Sequence, residues 1–441
     1  MPIKKHLLLF FIFFLSLAIF SQVTVKAMFY NIVKFTQSSA ADKQAGHIYI
    51  YNDVRPDLYM VAEAGINSPD HILGLLNNVN NIYARTQMFS NVNASTDTNH
   101  QLAFYNRFMF DLVAEEAIGT AYLTTGLRNI DHFTFKFKQP DINNNIVYLD
   151  VFVAHLKSSD GTTDRKSREA QVDTFNAALS ALDPSHYVIF AGDFNLYTSN
   201  EKAYIKATTT TTTAIKMKDP MGPGVLCVPF PETDPPGGDV SWSANPEIFY
   251  YWHDNPDFQY LHTQNPRVTG GGMDDRFDFM LTSENILNQN SSLSLIPNSY
   301  KPFGNNGNCL NKDITDTTCD GFYSPTLRNH LKNASDHIPV VMELNFKSIS
   351  LSDNNYAYTS LSFKSSNVST TDIALSVAES CFNSDLMVFN QWGQLVKTIH
   401  LDDNSVINNQ LLLDISEMST GVYIINLKDQ ALTKPLRFIK I

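Results

Sequence analysis

Two short runs in the sequence carry the residue types that metal-assisted hydrolysis requires. The first, Ala191-Gly192-Asp193-Phe194-Asn195, directly follows the apolar run at residues 187–190. A strand delivers its last residues to one edge of a sheet, so Asp193 and Asn195, two apart, are expected on one side in a shared site. A glycine before the acid lets neighbouring backbone come close. The second, Ser335-Asp336-His337-Ile338-Pro339-Val340, stands before another apolar run. An acid beside a histidine at a strand entrance can hold a cation and present it to a phosphate. Taken singly, each run is more often a hydrogen-bonded turn. Together they suit hydrolysis of a phosphate ester, which needs a cation to neutralise phosphate, a group to orient or deprotonate water, and a group to stabilise the departing alkoxide.

Something must position these residues. Strands are predicted at residues 23–31, 58–62, 146–156, 187–191, 277–282 and 339–345, where Val, Ile and aromatics run into polar residues. A helix is predicted over 164–182, with Ala170, Val172, Phe175, Ala178, Leu179 and Leu182 recurring near helical spacing. Alternating strands and helices imply a layered α/β fold. Residues 207–270 break the alternation with a threonine run and a Pro-Pro-Gly-Gly cluster at 235–238, followed by Trp242, Phe249, Tyr250, Tyr251, Trp252, Phe258 and Tyr260. So many aromatics suggest a folded loop on the substrate side. Ser, Asn and Asp then dominate a linker at 348–361. Strand-like runs at 385–389, 395–399, 411–415, 422–427 and 436–441, with turns at 390–393 and 418–421, predict a small C-terminal β-sandwich.

Six motifs fall in one order along the chain: Asn31 in Phe29-Tyr30-Asn31-Ile32, Glu63 in Val61-Ala62-Glu63, His155 in Ala154-His155-Leu156-Lys157-Ser158, the Gly-Asp-Phe-Asn run, Asp278 in Arg276-Phe277-Asp278, and Ser-Asp-His. This series resembles the endonuclease/exonuclease/phosphatase superfamily. The resemblance implies a four-layer α/β sandwich with two central sheets over residues 22–347 and the site at one edge. It implies Glu63 as the principal ligand of Mg²⁺ (or Mn²⁺ or Ca²⁺), Asn31 close to the metal or the phosphate, and Asp336 contributing directly or through water. Hard oxygen donors suit these ions. Asp193 would orient or deprotonate water with Asn195 beside it holding the phosphate, His337 would donate to a non-bridging oxygen with Asp278 fixing its tautomer, and His155 would be the second phosphate-side histidine.

Two departures bear on this. Val33 stands where some relatives carry an acid, and Asn106-Arg107 occupies the region where a glutamate can pair with the first histidine. Lys157, Arg165 and Arg168 are candidates for phosphate contact or for solvated charge. The stretches Trp252-His253-Asp254-Asn255 and 262–278 resemble an exported bacterial branch, its aromatics suited either to stacking bases or to packing the loop. His253 and His262 are not assigned to the metal. A secreted nuclease is the leading expectation; a phosphatase or a sphingomyelinase-like phosphodiesterase of the same fold is the alternative, and a non-catalytic surface-binding protein the remote one.

The whole chain fits such an exported protein. Its 441 residues are 43% hydrophobic and 17% charged, which excludes a disordered chain, and the net charge of -12 argues against nucleic-acid binding through a broad basic surface. A bound divalent cation can reverse the local sign. Lys4 and Lys5, an apolar run over 7–20 and Ser21 have the layout of a signal peptide at 1–21, too short to serve as a spanning anchor. Of four cysteines, Cys309 and Cys319 could close a short loop or stay free thiols, and no C-x-x-C pair suggests a thiolate metal site. The tail at 362–441 resembles the type IX secretion sorting domain through Val388-Phe389-Asn390-Gln391-Trp392-Gly393, Thr420-Gly421-Val422-Tyr423 and Phe438-Ile439-Lys440-Ile441. It implies passage through the periplasm of a double-membrane bacterium to the cell surface or medium. The expected partners are nucleic acid as substrate and the secretion machinery, with no integral membrane segment after cleavage and a monomeric state.

Overall fold

The computed structural model describes residues 21–89, 99–119, 128–199, 201–209, 212–222, 252–264 and 266–348, and in the tail 361–364, 367–377, 381, 384–390, 393–402, 404–407, 409–428 and 436–441. The predicted leader up to residue 20, the aromatics Trp242, Phe249, Tyr250 and Tyr251, and the linker between 349 and 360 lie outside these residues.

In chain order the elements are β1 (Ser21–Phe35), α1 (Ala41–Val54), β2 (Leu58–Ala64), α2 (Pro69–Val79), β3 (Tyr83–Arg85), β4 (His100–Asn106), β5 (Phe110–Ile118), β6 (Ile130–Phe137), β7 (Tyr148–His155), α3 (Thr162–Leu179), β8 (Tyr187–Asp193), α4 (Lys202–Thr209), β9 (Met217–Lys218), β10 (Asp278–Ser283), α5 (Glu284–Leu287), β11 (Leu293–Leu295), β12 (Lys301–Pro302), α6 (Pro325–Ala334) and β13 (Val340–Ser348). They build two sheets. One has the order β11-β13-β1-β2-β4-β3, with β12 also on β13; the other has the order β5-β6-β7-β8-β10-β9. The sheets meet face to face through β1, β2 and β13 on one side and β7, β8 and β10 on the other. Helices α1 and α6 pair with each other, as do α3 and α4. This is the expected α/β sandwich with two central sheets.

The layering follows from alternation along the strands. Phe152 and Ala154 of β7, Val188 and Phe190 of β8, and Phe279 and Leu281 of β10 pack under α3, which supplies Val172, Phe175 and Leu179. The intervening Val151, Val153, Ile189, Ala191 and Met280 are also buried, so both faces of these strands are covered. Phe175 stacks on Phe190 with centroids 3.9 Å apart, and burying one such ring contributes about 2–3 kcal/mol. Helix α3 stops at Leu179, short of the predicted 182, because Asp183-Pro184 follows. A residue before proline is pushed out of the helical region, and Leu182 closes only a turn onto Leu179.

A charged network ties the second sheet together. Asp150, fully buried on β7, takes hydrogen bonds from His132 Nε2 at 2.8 Å, Thr134 Oγ1 at 2.6 Å and His186 Nδ1 at 2.6 Å. The other nitrogen of His132 meets Glu116 Oε1 at 3.0 Å, and its ring lies parallel to Phe152 at 4.1 Å. Burial opposes the His132 cation, but Asp150 and Glu116 outweigh it and raise its pKa; burial likewise opposes the Asp150 anion, and its three donors win and lower its pKa. A raised histidine stabilises the fold below its unfolded pKa of about 6.5 and loses that contribution as pH climbs through the folded value. A lowered aspartate stabilises above about 3.9 and loses its contribution as pH falls through the folded value. The network is therefore expected to be strongest between these limits. The melting-temperature gap between wild type and His132→Phe, followed from pH 5 to pH 9, should narrow as pH rises; a constant gap would show that His132 is not held as a cation.

Cys309 and Cys319 are joined, with Cα atoms 5.0 Å apart, which resolves the open choice in favour of the disulfide. Cys381 is buried. The tail belongs to a second compact unit. There β14 (Leu361–Phe363), β15 (Val368–Ser369), β16 (Asp372–Val377), β17 (Asp385–Asn390), β18 (Leu395–His400), β19 (Gln410–Asp414), β20 (Gly421–Leu427) and β21 (Leu436–Lys440) form a three-stranded sheet, β14-β16-β19, and a five-stranded sheet, β15-β21-β20-β17-β18. Ile373, Leu375, Leu386, Val388, Leu413, Ile425 and Phe438 fill the core of this β-sandwich. Among the described residues no helix is long and apolar enough to cross a membrane.

Candidate functional site

Asn31 of β1, Glu63 of β2, His155 of β7, Asp193 of β8, Asp278 of β10 and His337 just before β13 come from six places in the chain and meet at one edge of the sandwich. Pairing puts three of them in line: Asp193 lies opposite His155 in the parallel β7–β8 pair and opposite Asp278 in the antiparallel β8–β10 pair. Gly192 makes that close approach possible, since a Cβ there would sit 2.4 Å from the Ala154 carbonyl oxygen. In the other sheet, the β1–β2 register shifts between Asn31 and Phe35, and Glu63 has a left-handed backbone with φ of 59°. Both side chains are thereby turned out of the regular alternation.

The Asn31 amide is the centre of the cluster. Its Nδ2 donates to Asp193 Oδ2 at 2.9 Å and to Glu63 Oε1 at 3.3 Å, while its Oδ1 accepts from the Val33 amide at 3.0 Å. The NH₂ group thus faces the carboxylates and the amide oxygen faces the backbone. His337 Nδ1 bonds Asp278 Oδ2 at 2.7 Å, and its Nε2 stands 3.7 Å from Asp193 Oδ2 and 3.5 Å from Asn31 Nδ2. His155 Nε2 is 3.3 Å from the same Asp193 oxygen. Asp336, half-buried, adjoins His337 and lies 3.5 Å from Ser335 Oγ, which itself donates to the Asn31 carbonyl at 2.6 Å.

Asn195 reaches the site by a different route from the one its spacing suggests. Strand β8 ends at Asp193, and Asn195 sits in the left-handed region at φ 50° in a turn closed by its own amide on Asp193 Oδ1 at 3.1 Å. Its Nδ2 donates to the Leu156 carbonyl at 3.3 Å. The turn, not strand alternation, places it.

Electrostatics separates the two histidines. Burial opposes a charge on His337, but Asp278, Asp193 and Asp336 outweigh it and hold its pKa well above the ordinary value. Burial drives His155 well below it, with Arg128 and His337 adding to the effect. The surrounding carboxylates thus favour the charged form of His337, and burial favours the neutral form of His155. Burial pushes the Asp193 carboxyl up to about 7; His337 and Asn31 pull it down, while Asp278 and Glu63 add to the rise. So many acids in one buried place is a costly arrangement that a divalent cation relieves. Glu63 Oε2 gives a specific sign of this: it is buried and takes no hydrogen bond from any described residue. Carboxylates such as Glu63 and Asp336 supply the hard oxygens that Mg²⁺ takes, so the residue types fit such an ion.

Sequence reading missed the supports. Arg128 donates from Nε to the His155 carbonyl and from Nη2 to the Leu156 carbonyl, both at 2.7 Å, and its charge faces Asp193 and Glu63. Thr263 Oγ1 accepts from the amides of Phe277 and Asp278 at 3.2 Å, and its carbonyl accepts from the Ile338 amide, joining the start of β10, which carries Asp278, to the segment before β13, which carries His337. Arg168, a candidate phosphate contact, is instead fully buried. It bonds Glu201 Oε2 at 2.8 Å and the carbonyls of Lys157 and Ser159 at 2.8 and 2.6 Å. Lys157 pairs with Asp164 at 2.8 Å. Arg276 pairs with Asp219 at 2.9 Å and lies over the rings of Phe279 and Trp252. His253 bonds Asp275 at 2.7 Å, and that contact raises its pKa to about 9.

With this geometry in view, comparison with known proteins adds two findings. Residues 367–440 match the model of a family described as the secretion system C-terminal sorting domain. The tail is a sorting domain. Among solved structures, an endonuclease/exonuclease/phosphatase family protein from Bacteroides thetaiotaomicron is similar at 14% identity and a TM-score of 0.45, over 74% of this chain and 99% of that one. The human Nocturnin catalytic domain with bound sulfate follows at 15% identity and 0.44, over 74% and 97%. A mannosyl-6-phosphatase from Bacteroides thetaiotaomicron aligns at 13% identity and 0.42, over 73% and 99%. No curated protein matches the sequence.

Proposed function

We propose that residues 22–347 form a divalent-metal-dependent phosphodiesterase, that its substrate is extracellular nucleic acid, and that the sorting domain directs its export. The observation that carries the reading is the convergence of Glu63, Asn31, Asp193 and His337 at one place, where Glu63 Oε2 and Asp278 Oδ1 are buried carboxylate oxygens with no hydrogen-bond partner among the described residues.

Glu63 would hold the cation with Asp336, and a bound Mg²⁺ would neutralise charge on the phosphate and on the leaving oxygen. The remaining work falls to the chain. Asp193, fixed by Asn31 and by the Asn195 amide, orients the attacking water and takes its proton. His337, kept cationic and aimed by Asp278, donates from Nε2 to a non-bridging phosphate oxygen as charge builds there. Neutral His155, on the other side of Asp193, offers Nε2 to the phosphate. Tyr197, two residues beyond Asn195 and half-buried, is a candidate to contact a base; its ring already meets Phe277 at 4.9 Å, His253 at 5.8 Å and the Arg168 guanidinium at 5.9 Å.

Purified protein incubated with plasmid DNA, RNA, bis(p-nitrophenyl) phosphate and sphingomyelin, with Mg²⁺ or with a chelator, tests this. Nucleic acid should be cleaved with Mg²⁺ and spared once the ion is removed, with cleavage restored on adding it back. Hydrolysis undiminished by chelation would sink the metal-dependent reading, and cleavage of sphingomyelin alone would move the substrate to a phospholipid.

A further inference from the structure

The backbone beside Asn31 is held in an unusual state. Val33 and Lys34 both lie in the left-handed region, at φ 37° and 54°, and a β-branched residue there is a marked outlier. Such strain persists only where surrounding groups enforce it. Two contacts do so. The Val33 amide donates to Asn31 Oδ1 at 3.0 Å, and the Val33 carbonyl accepts from the ammonium of Lys43, one turn into α1, at 2.5 Å. The ammonium also lies 5.9 Å over the Phe35 ring, at the point where the β1–β2 pairing resumes.

We propose that Lys43 is a positioning residue for the metal-assisted site: by clamping the Val33 carbonyl it locks the 33–34 bulge, and the locked bulge aims the Asn31 amide at Asp193 and Glu63. This inference deepens the function proposed above and rests on it. The connection is continuous in bonds, from Lys43 Nζ to Val33, from Val33 to Asn31 Oδ1, and from Asn31 Nδ2 to both carboxylates. Ser335 fixes only the Asn31 main chain, and Val33 supplies the bond to the amide oxygen. Lys43 has a second relation to the site. Burial lowers its pKa to about 8, and Asp336 and Glu63 pull the other way, which places its charge facing the carboxylates proposed to hold the cation.

Lys43→Met keeps the apolar stem over Phe35 and removes only the ammonium. In its crystal structure the Asn31 Nδ2 to Asp193 Oδ2 separation should open beyond hydrogen-bond range. At saturating Mg²⁺, kcat on bis(p-nitrophenyl) phosphate should fall about tenfold, with KM within about twofold. Lys43→Arg should restore most of both. So should Val33→Gly placed in the Lys43→Met background, because glycine adopts the left-handed conformation without a clamp. An Asn31 amide unmoved in Lys43→Met would overturn the proposal, as would failure of Val33→Gly to rescue. Should wild type cleave no phosphodiester, the proposed function falls, while the position of Asn31 in the variant still decides for or against the clamp.

Discussion

His337→Ala is expected to lower kcat for phosphodiester cleavage by roughly 10³-fold, within the range for loss of a charge-assisted donor or general acid. The expectation rests on one nitrogen. Nδ1 is spent on Asp278 at 2.7 Å, and Nε2 is the end that faces Asp193 and Asn31. Alanine removes that donor and leaves the buried Asp278 carboxylate without its partner, so some stability is lost as well. Melting temperature separates the two effects, and kcat should be compared at a temperature where the variant is folded. Asp278→Asn should do less damage, since the ring keeps a hydrogen-bond partner but loses the anion that favours its cationic form. Turnover of His337→Ala within tenfold of wild type would remove this residue from the reaction.

Glu201→Gln is expected to destabilise the fold by about 3–5 kcal/mol, the usual penalty for stripping the counterion from a buried charge. Arg168 would keep its bonds to the Lys157 and Ser159 carbonyls but lose its carboxylate. The consequence reaches the site, because this pair joins two loops. One follows His155, and the other, through the Tyr197 amide on Glu201 Oε1 at 3.0 Å, follows Asn195. Loss of both turnover and stability is therefore expected from a residue that touches no substrate. At about 1.5 °C per kcal/mol for a unit of this size, the melting temperature should drop by about 4–7 °C. Replacing the pair together, Arg168→Met with Glu201→Leu, should cost less than the single change, because no unpaired charge remains. A melting temperature within about 2 °C of wild type in Glu201→Gln would contradict the buried-pair account.

The candidate site was legible where chemistry and strand ends coincide. Gly192-Asp193 after a buried strand, Asp278 at the start of β10 and the Asp336-His337 pair before β13 all stand beside apolar runs that mark sheet edges, and the structure brings them to one edge. The fold was legible for the same reason, since continuous apolar strands buried on both faces require layers above and below. The supports were hidden because no local pattern distinguishes them. Arg168 lies on α3 between exposed charges and looks solvated until the tertiary fold closes over it. Arg128 acts through carbonyls of residues 27 and 28 positions away, and a carbonyl has no signature in sequence. Asn195 was anticipated for a reason that does not operate, because a left-handed turn takes over where the strand stops. The Cys309–Cys319 pair needed the coordinates to choose between bond and thiols.

Anomalous scattering from crystals soaked in Mn²⁺ tests the central claim most directly, because it locates a cation without reference to any substrate. A peak is expected within coordination distance of Glu63 Oε2, about 2.1–2.3 Å, and it should vanish in Glu63→Ala. No peak there, or a peak found only beside His253, Asp274 and Asp275, whose ligand atoms lie within 4.8 Å of one another, would contradict the account.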